Sequence, residues 1–188
     1  MKILQINNYN YLKGGSEKVY QVTIELLKAN GHQVKYFSIA DPRNEELCEG
    51  YAVSIQKWSD VKGLGGKLKG VRNFIYNRQV AWQLDSFLQE YHPDVAHLHI
   101  FYGNLSNAIV DVLRKHHIPM VQSVHEFRLL CPVYTCLDPH LEICEKCAKE
   151  TLKLSCVLKR CVKNSLLMST IAAMECFCLL YTSPSPRD

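Results

Sequence analysis

Apolar positions along the first forty residues alternate between two periods. Ile3, Leu4 and Ile6 form a short opening run that predicts a strand, followed by a polar and aromatic turn from Asn7 to Gly15. Ser16 is placed to cap a helix whose apolar face is read as Val19, Val22, Leu26 and Leu27, and Asn30-Gly31 ends it. Val34, Tyr36 and Phe37 predict a second strand, completing a strand–helix–strand opening. Residues 39–70 carry Pro42, Gly50, Gly63, Gly65, Gly66 and Gly70, and read as a long loop with one short strand at Tyr51–Ile55. Helical spacing then runs from Val71 to Tyr91 until Pro93 breaks it. Asp94 to Ile100 reads as a third strand, Leu105 to Leu113 as a helix, and Met120 to Val124 as a fourth strand. Repetition of this unit predicts an α/β fold: a Rossmann-like parallel sheet with helices on both faces. Beyond Val124 the regular pattern gives way to a cysteine-rich segment, with one more helix expected over 162–177.

Composition narrows the class. With 188 residues, 47% of them hydrophobic, the chain can bury one ordinary core, which excludes disordered and collagen-like chains. A net charge of +4 gives no support to a nucleic-acid partner. The N-terminus lacks the features of a signal peptide, and no run reaches the roughly 18 apolar residues of a membrane span. The expectation is therefore a cytoplasmic protein with reduced thiols. The segment 57–72 holds Lys57, Lys62, Lys67, Lys69 and Arg72 against Asp60 alone; it reads either as a solvated face or as a basic rim meeting an anionic lipid surface.

Candidate chemistry falls at the carboxyl ends of the predicted strands, where parallel sheets bind ligands. Gly14-Gly15-Ser16-Glu17 joins the first strand to the first helix. The pair of glycines is either a tight turn or a place where backbone amides approach an anion such as phosphate. Neither a dinucleotide fingerprint nor a P-loop is present. His97 and His99 share one strand face, with Tyr102, Gly103 and Asn104 just after them. His97 reads as a hydrogen-bonded core histidine, while His99 is nearer the strand end and better placed for a cleft. His125-Glu126 follows the fourth strand, as a capped strand end or as a hydroxyl donor oriented by an acid. Eight of the nine cysteines lie after residue 130. Among them Cys144, Cys147, Cys156 and Cys161 have the spacing of a tetrathiolate zinc knuckle, of buried free thiols, or of a redox pair.

Taken in order, these motifs resemble the N-terminal, acceptor-side domain of glycosyltransferase family 4, the retaining sugar transferases of GT-B fold. The similarity runs through Met1-Lys2-Ile3-Leu4, Gly14-Gly15-x-Glu17, Gly31-His32-x-Val34 and Pro93-Asp94-Val95-x-His97-x-His99. It continues through Ile118-Pro119-x-Val121 and His125-Glu126-Phe127 to Cys131-Pro132 and the later cysteine pairs, as in a cysteine-bearing branch of the family. The resemblance implies a domain over 1–177 with a cysteine-rich insert at about 131–161. A second, donor-binding domain carrying two Glu separated by seven residues would be missing, leaving this fragment inactive alone. It implies a nucleotide-sugar donor near Gly14-Gly15, His125 against the donor sugar, and Glu126 where an Asp is more common. His97, His99, Tyr102 and Asn104 would shape the cleft. The expected acceptor is a glycan or a lipid-linked sugar of surface polysaccharide synthesis, at the inner face of a membrane; the resemblance requires no cofactor, and a structural zinc stays one of the readings of the cysteines. The last residues, LLYTSPSPRD, resemble translated sequencing adapter, so 178–188 are set aside as a non-native tail. The rival readings are a sugar- or nucleotide-binding subunit of a split glycosyltransferase and a zinc-dependent nucleic-acid module.

Overall fold

The computed structural model describes residues 1–55 and 63–182. The chain divides into two compact units, with the boundary between His125 and Glu126. The basic residues Lys57 and Lys62 lie outside the described residues, as do 183–188.

The first unit is a five-stranded, wholly parallel sheet. Its strands are β1 (Lys2–Ile6), β2 (Gln33–Ile39), β3 (Gly50–Val53), β4 (Val95–Leu98) and β5 (Met120–Gln122), in the order β3-β2-β1-β4-β5. Helices flank both faces. They are α1 (Gly15–Ala29), α2 (Gly63–Ile75), α3 (Arg78–Glu90) and α4 (Ala108–Lys115). Because β1 is central and buried on both sides, it reads as a near-continuous apolar run rather than an alternation. Leu4 and Ile6 of β1, Phe37 of β2 and Leu98 of β4 are fully buried, and so are Ile24, Leu84, Leu88 and Ile109 of the helices. Each such side chain contributes roughly 1.5–3 kcal/mol relative to exposure. The strand order reverses direction between β1 and β4. That reversal is the switch point of the sheet, where parallel sheets place their ligand sites.

Several boundaries differ from expectation for identifiable reasons. Helix α1 begins at Gly15, with Gly14 as its cap; the Ser16 hydroxyl donates to Glu17 Oε2 instead of capping the helix. Its buried residues are Glu17, Tyr20, Gln21 and Ile24, whereas Val19 and Leu26 are exposed. Tyr20 and Ile24 pack with Val34 and the partly buried Leu27, and this cluster sets the helix rotation. The expected helix over Val71–Tyr91 is two helices. Asn77 divides them, its Oδ1 accepting from the Gln79 and Val80 amides at 3.1 and 3.3 Å. Much of the expected 39–70 loop is accordingly structured: β3 pairs with β2, and α2 starts at Gly63. Gly50 is required at the start of β3, since a Cβ there would stand 2.4 Å from the Tyr36 carbonyl oxygen. Gly103 has φ of +73°, and a Cβ on it would stand 2.9 Å from Phe74.

The second unit holds little regular structure before its last helix. An isolated antiparallel bridge joins Leu137 and Ile143, a 3₁₀ turn covers Lys146–Lys149, and α5 covers Leu154–Leu158. The last helix, α6, spans Leu166–Thr182, so it starts later than the expected 162–177 helix and runs on through Cys178 and Leu179. Within the second unit Arg128 pairs with the fully buried Glu175 of α6, and Arg128 also donates to the Pro132 carbonyl at 2.6 Å. Among the described residues no helix is long and apolar enough to cross a membrane.

Candidate functional site

The loops leaving β1 and β4 are locked together by buried asparagines. Asn8 donates to the Tyr102 carbonyl at 2.9 Å and accepts from the Leu105 amide at 3.3 Å. Asn7 accepts from the Ile100 amide at 3.0 Å, and Asn10 bonds both Tyr20 and the Glu45 carbonyl. The segment that read as a polar turn is thus an internal frame: Asn7, Asn8 and Asn10 are all buried. Buried amides of this kind hold a loop rigidly because each lost bond strands a polar group.

That frame ends at Gly14-Gly15. Gly14 is extended, with φ of −166°, a conformation open to any residue. A Cβ on Gly15 would meet nothing within 4 Å, and one on Gly14 would meet only Glu17 Oε2, at 3.5 Å. Neither backbone strain nor neighbouring protein explains the two glycines, and the tight-turn reading loses its basis. The amides opening α1 have no partner within the helix and carry the positive end of its dipole. Glu17 is folded back beside them, buried and bonded to Ser16. Lys13, which sequence inspection passed over, stands at the same place, with its ammonium 4.1 Å from the Tyr9 ring centre.

The three histidines converge. His97 and His99 share a strand face as expected, with ring centres 4.3 Å apart. His99 Nδ1 lies 2.9 Å from His125 Nε2, and the two rings are stacked within 17° of parallel. The expected exposures of the strand pair are reversed: His99 is fully buried, whereas His97 is half-buried. Burial is the main cause of the fall in the His99 pKa to about 3, with His97 and His125 adding to it. His97 is lowered as well, by burial and then by His125. Tyr102 is buried, its hydroxyl accepting from Gln122, while Asn104 is half-buried and reaches the Tyr9 hydroxyl at 3.4 Å.

His125 closes the first unit and Glu126 opens the second. Burial raises the Glu126 pKa, and Arg128 opposes that rise.

The proposed zinc ligands do not form a site. Among the described residues, no three His, Cys, Asp or Glu side chains are grouped to hold a metal ion. All nine cysteines are free thiols. Burial pushes Cys147 up to about 11 and raises Cys156 further, which disfavours the thiolate that a metal requires. The buried Lys153 ammonium donates to the Cys147 carbonyl at 2.7 Å, and Lys159 sits 3.8 Å from Cys144 Sγ. Two ammonium groups among these cysteines oppose a bound cation. The residues present do not fit a tetrathiolate zinc: all four are free thiols, Cys147 and Cys156 buried, Cys144 and Cys161 half-buried.

A family model, Glycosyltransferase Family 4, matches residues 13–152, which is most of the chain and takes in the glycine loop and all three histidines. The chain belongs to glycosyltransferase family 4. It is a glycosyltransferase, and its parallel sheet with helices on both faces is the Rossmann-like architecture of a GT-B N-terminal domain. Family membership implies that it handles a nucleotide sugar and an acceptor. No curated protein matches the chain. Gln5 and Ser123 were absent from the sequence-based candidates although both bond the histidines of this family 4 domain.

Proposed function

We propose that this chain forms the acceptor-side domain of a retaining glycosyltransferase, which moves a sugar from a nucleotide-sugar donor to a glycan or lipid-linked acceptor. In this reading the donor diphosphate lies against Gly14 and Gly15, where the α1 amides and Lys13 offset the charge that grows as the glycosidic bond to phosphate breaks. His125 meets a hydroxyl of the donor sugar. Tyr102 and Asn104 belong to the wall fixed by Asn8. The observation that carries this reading is the open space at Gly15, at a helix start beside the switch point of the sheet. On α2, Leu68 is 73% exposed and flanked by Lys69 and Arg72, which supports a cytoplasmic protein resting on an anionic membrane that presents the acceptor.

Gly15→Val tests the glycine loop directly. A Cβ there has no neighbour within 4 Å, so the fold should persist while the path of a diphosphate is blocked. Titrating uridine diphosphate into isotopically labelled chain should shift the Gly14, Gly15 and Ser16 amides, and Gly15→Val should weaken that binding about tenfold or more. Unchanged affinity in the variant would refute the assignment.

A further inference from the structure

Gln5 is a polar residue on the central strand, flanked by Leu4 and Ile6, and it is fully buried. Its amide spans two histidines: Nε2 lies 3.2 Å from His97 Nδ1, and Oε1 lies 3.0 Å from His99 Nε2. An amide nitrogen only donates and an amide oxygen only accepts, so this orientation dictates the state of both rings. His97 presents a bare Nδ1 and carries its proton on Nε2, which donates to Ser123 Oγ at 2.8 Å. His99 carries its proton on Nε2. Since its burial keeps it neutral, His99 has no second proton, and its Nδ1 is bare. That bare nitrogen accepts across the 2.9 Å separation from His125 Nε2, which must be the protonated one.

Turning the amide over would give the opposite pattern, because amide orientation and histidine tautomers are fixed together by the network. All three rings would then hold their proton on Nδ1, the intrinsically less stable position in a neutral imidazole. In the observed arrangement all three hold it on Nε2. The orientation seen is therefore the lower in energy at three rings at once.

We propose that Gln5 is a positioning residue that, through His99, holds His125 as its Nε2–H tautomer and leaves His125 Nδ1 as a hydrogen-bond acceptor for a hydroxyl of the substrate. This rests on the placement of His125 at the sugar site given above. His125 is half-buried, and its Nδ1 has no protein partner among the described residues. A sugar hydroxyl donating to this nitrogen is held in one orientation, with its oxygen lone pairs directed away from the ring. A histidine free to change tautomer would accept from or donate to the same hydroxyl, and that orientation would be lost.

The test is long-range nitrogen–proton NMR of the histidine rings in the full chain at pH 7.5. The expected spectrum shows His97, His99 and His125 all protonated on Nε2, with the His125 Nδ1 resonance at the position of a bare ring nitrogen. A His125 ring protonated on Nδ1 in the natural chain overturns the proposal without any substitution. Gln5→Met keeps the length of the side chain and removes both bonds. It should move both His125 nitrogen resonances toward an averaged position while the β1 and β4 amide pattern is kept. A folded Gln5→Met with the natural His125 spectrum also overturns the proposal. Adding uridine diphosphate glucose separates the two layers. If the tautomer is as expected but the sugar leaves the His125 resonances unmoved, the placement of His125 at the sugar fails and the Gln5 linkage stands.

Discussion

Acid should weaken the first unit through His99, and the size of the effect follows from its environment. The ring is fully buried between Gln5, His97 and His125, with the Tyr20 ring edge-on 5.2 Å away. Its pKa falls from an ordinary 6.5 to about 3 in the folded chain. The unfolded chain therefore binds more protons than the folded one between those values, and stability must drop as pH falls through that window. Stability is complete above pH 6.5. Integrating the proton difference for this one ring gives a loss of about 2 kcal/mol between pH 7.5 and 5, and roughly 4 kcal/mol by pH 3. His97 shifts in the same direction and adds to the loss. The assay is urea unfolding at pH 7.5, 6.5, 5.5 and 5.0, read from the intensities of the Ile6 and Leu98 amide resonances, which report the sheet. His99→Gln cannot titrate and retains an amide able to bond its neighbours, so its loss over the same range should be about 2 kcal/mol smaller. If both proteins lose stability equally, the slope comes from other groups and the neutral, buried His99 is refuted.

Three further outcomes are expected. Asn8→Ala takes the side-chain partner from the buried Leu105 amide and one of two donors from the Tyr102 carbonyl, which keeps the Asn104 amide at 2.8 Å, so chemical denaturation should show a loss of about 1–3 kcal/mol. A loss below 0.5 kcal/mol would show that the two loops are not tied through this residue. Alkylation by iodoacetamide at pH 7.5, followed residue by residue by mass spectrometry, should find Cys147, Cys156 and Cys176 slowest to react, because all three are buried and held protonated. Protein purified with excess zinc should retain far less than one equivalent after gel filtration; stoichiometric retention would overturn the thiol reading.

What could be read from the sequence divides along physical lines. The inner strands announced themselves because a parallel sheet covered on both faces needs dense apolar runs, and ILQI and DVAHLHI supply them. The rotation of α1 was misjudged because the aliphatic pattern favoured Val19 and Leu26, while the residue that anchors the helix is Tyr20, an aromatic with a polar tip satisfied by Asn10. The break between α2 and α3 was hidden in continuous helical spacing. Its one local signal was Asn77, a strong capping residue in the middle of the run. Cysteine spacing carried no information on burial, and burial decides between a thiol and a thiolate. The unit boundary after His125 lies where the regular apolar pattern gives way, beyond Val124, to the cysteine-rich segment.

The histidine site shows why polar residues in apolar surroundings deserve the closest reading. His97, His99 and His125 were found because ionisable side chains at strand ends attract notice. Gln5 was missed because an uncharged amide between Leu4 and Ile6 looks like a tolerated exception. Yet a fully buried amide on the central strand has to spend both its donor and its acceptor on something. Register offers one choice: β1 pairs with β4 so that Gln5 lies opposite His97, two residues before His99. A parallel neighbour reading QI beside HLH therefore already implies an amide bridging two imidazoles. Strand order, which follows from the βαβ pattern, is enough to pose that pairing; what the structure adds is which atom of the amide faces which ring. That last detail determines the His125 tautomer, so the chemistry offered at the rim of the sheet is fixed by a residue at its centre.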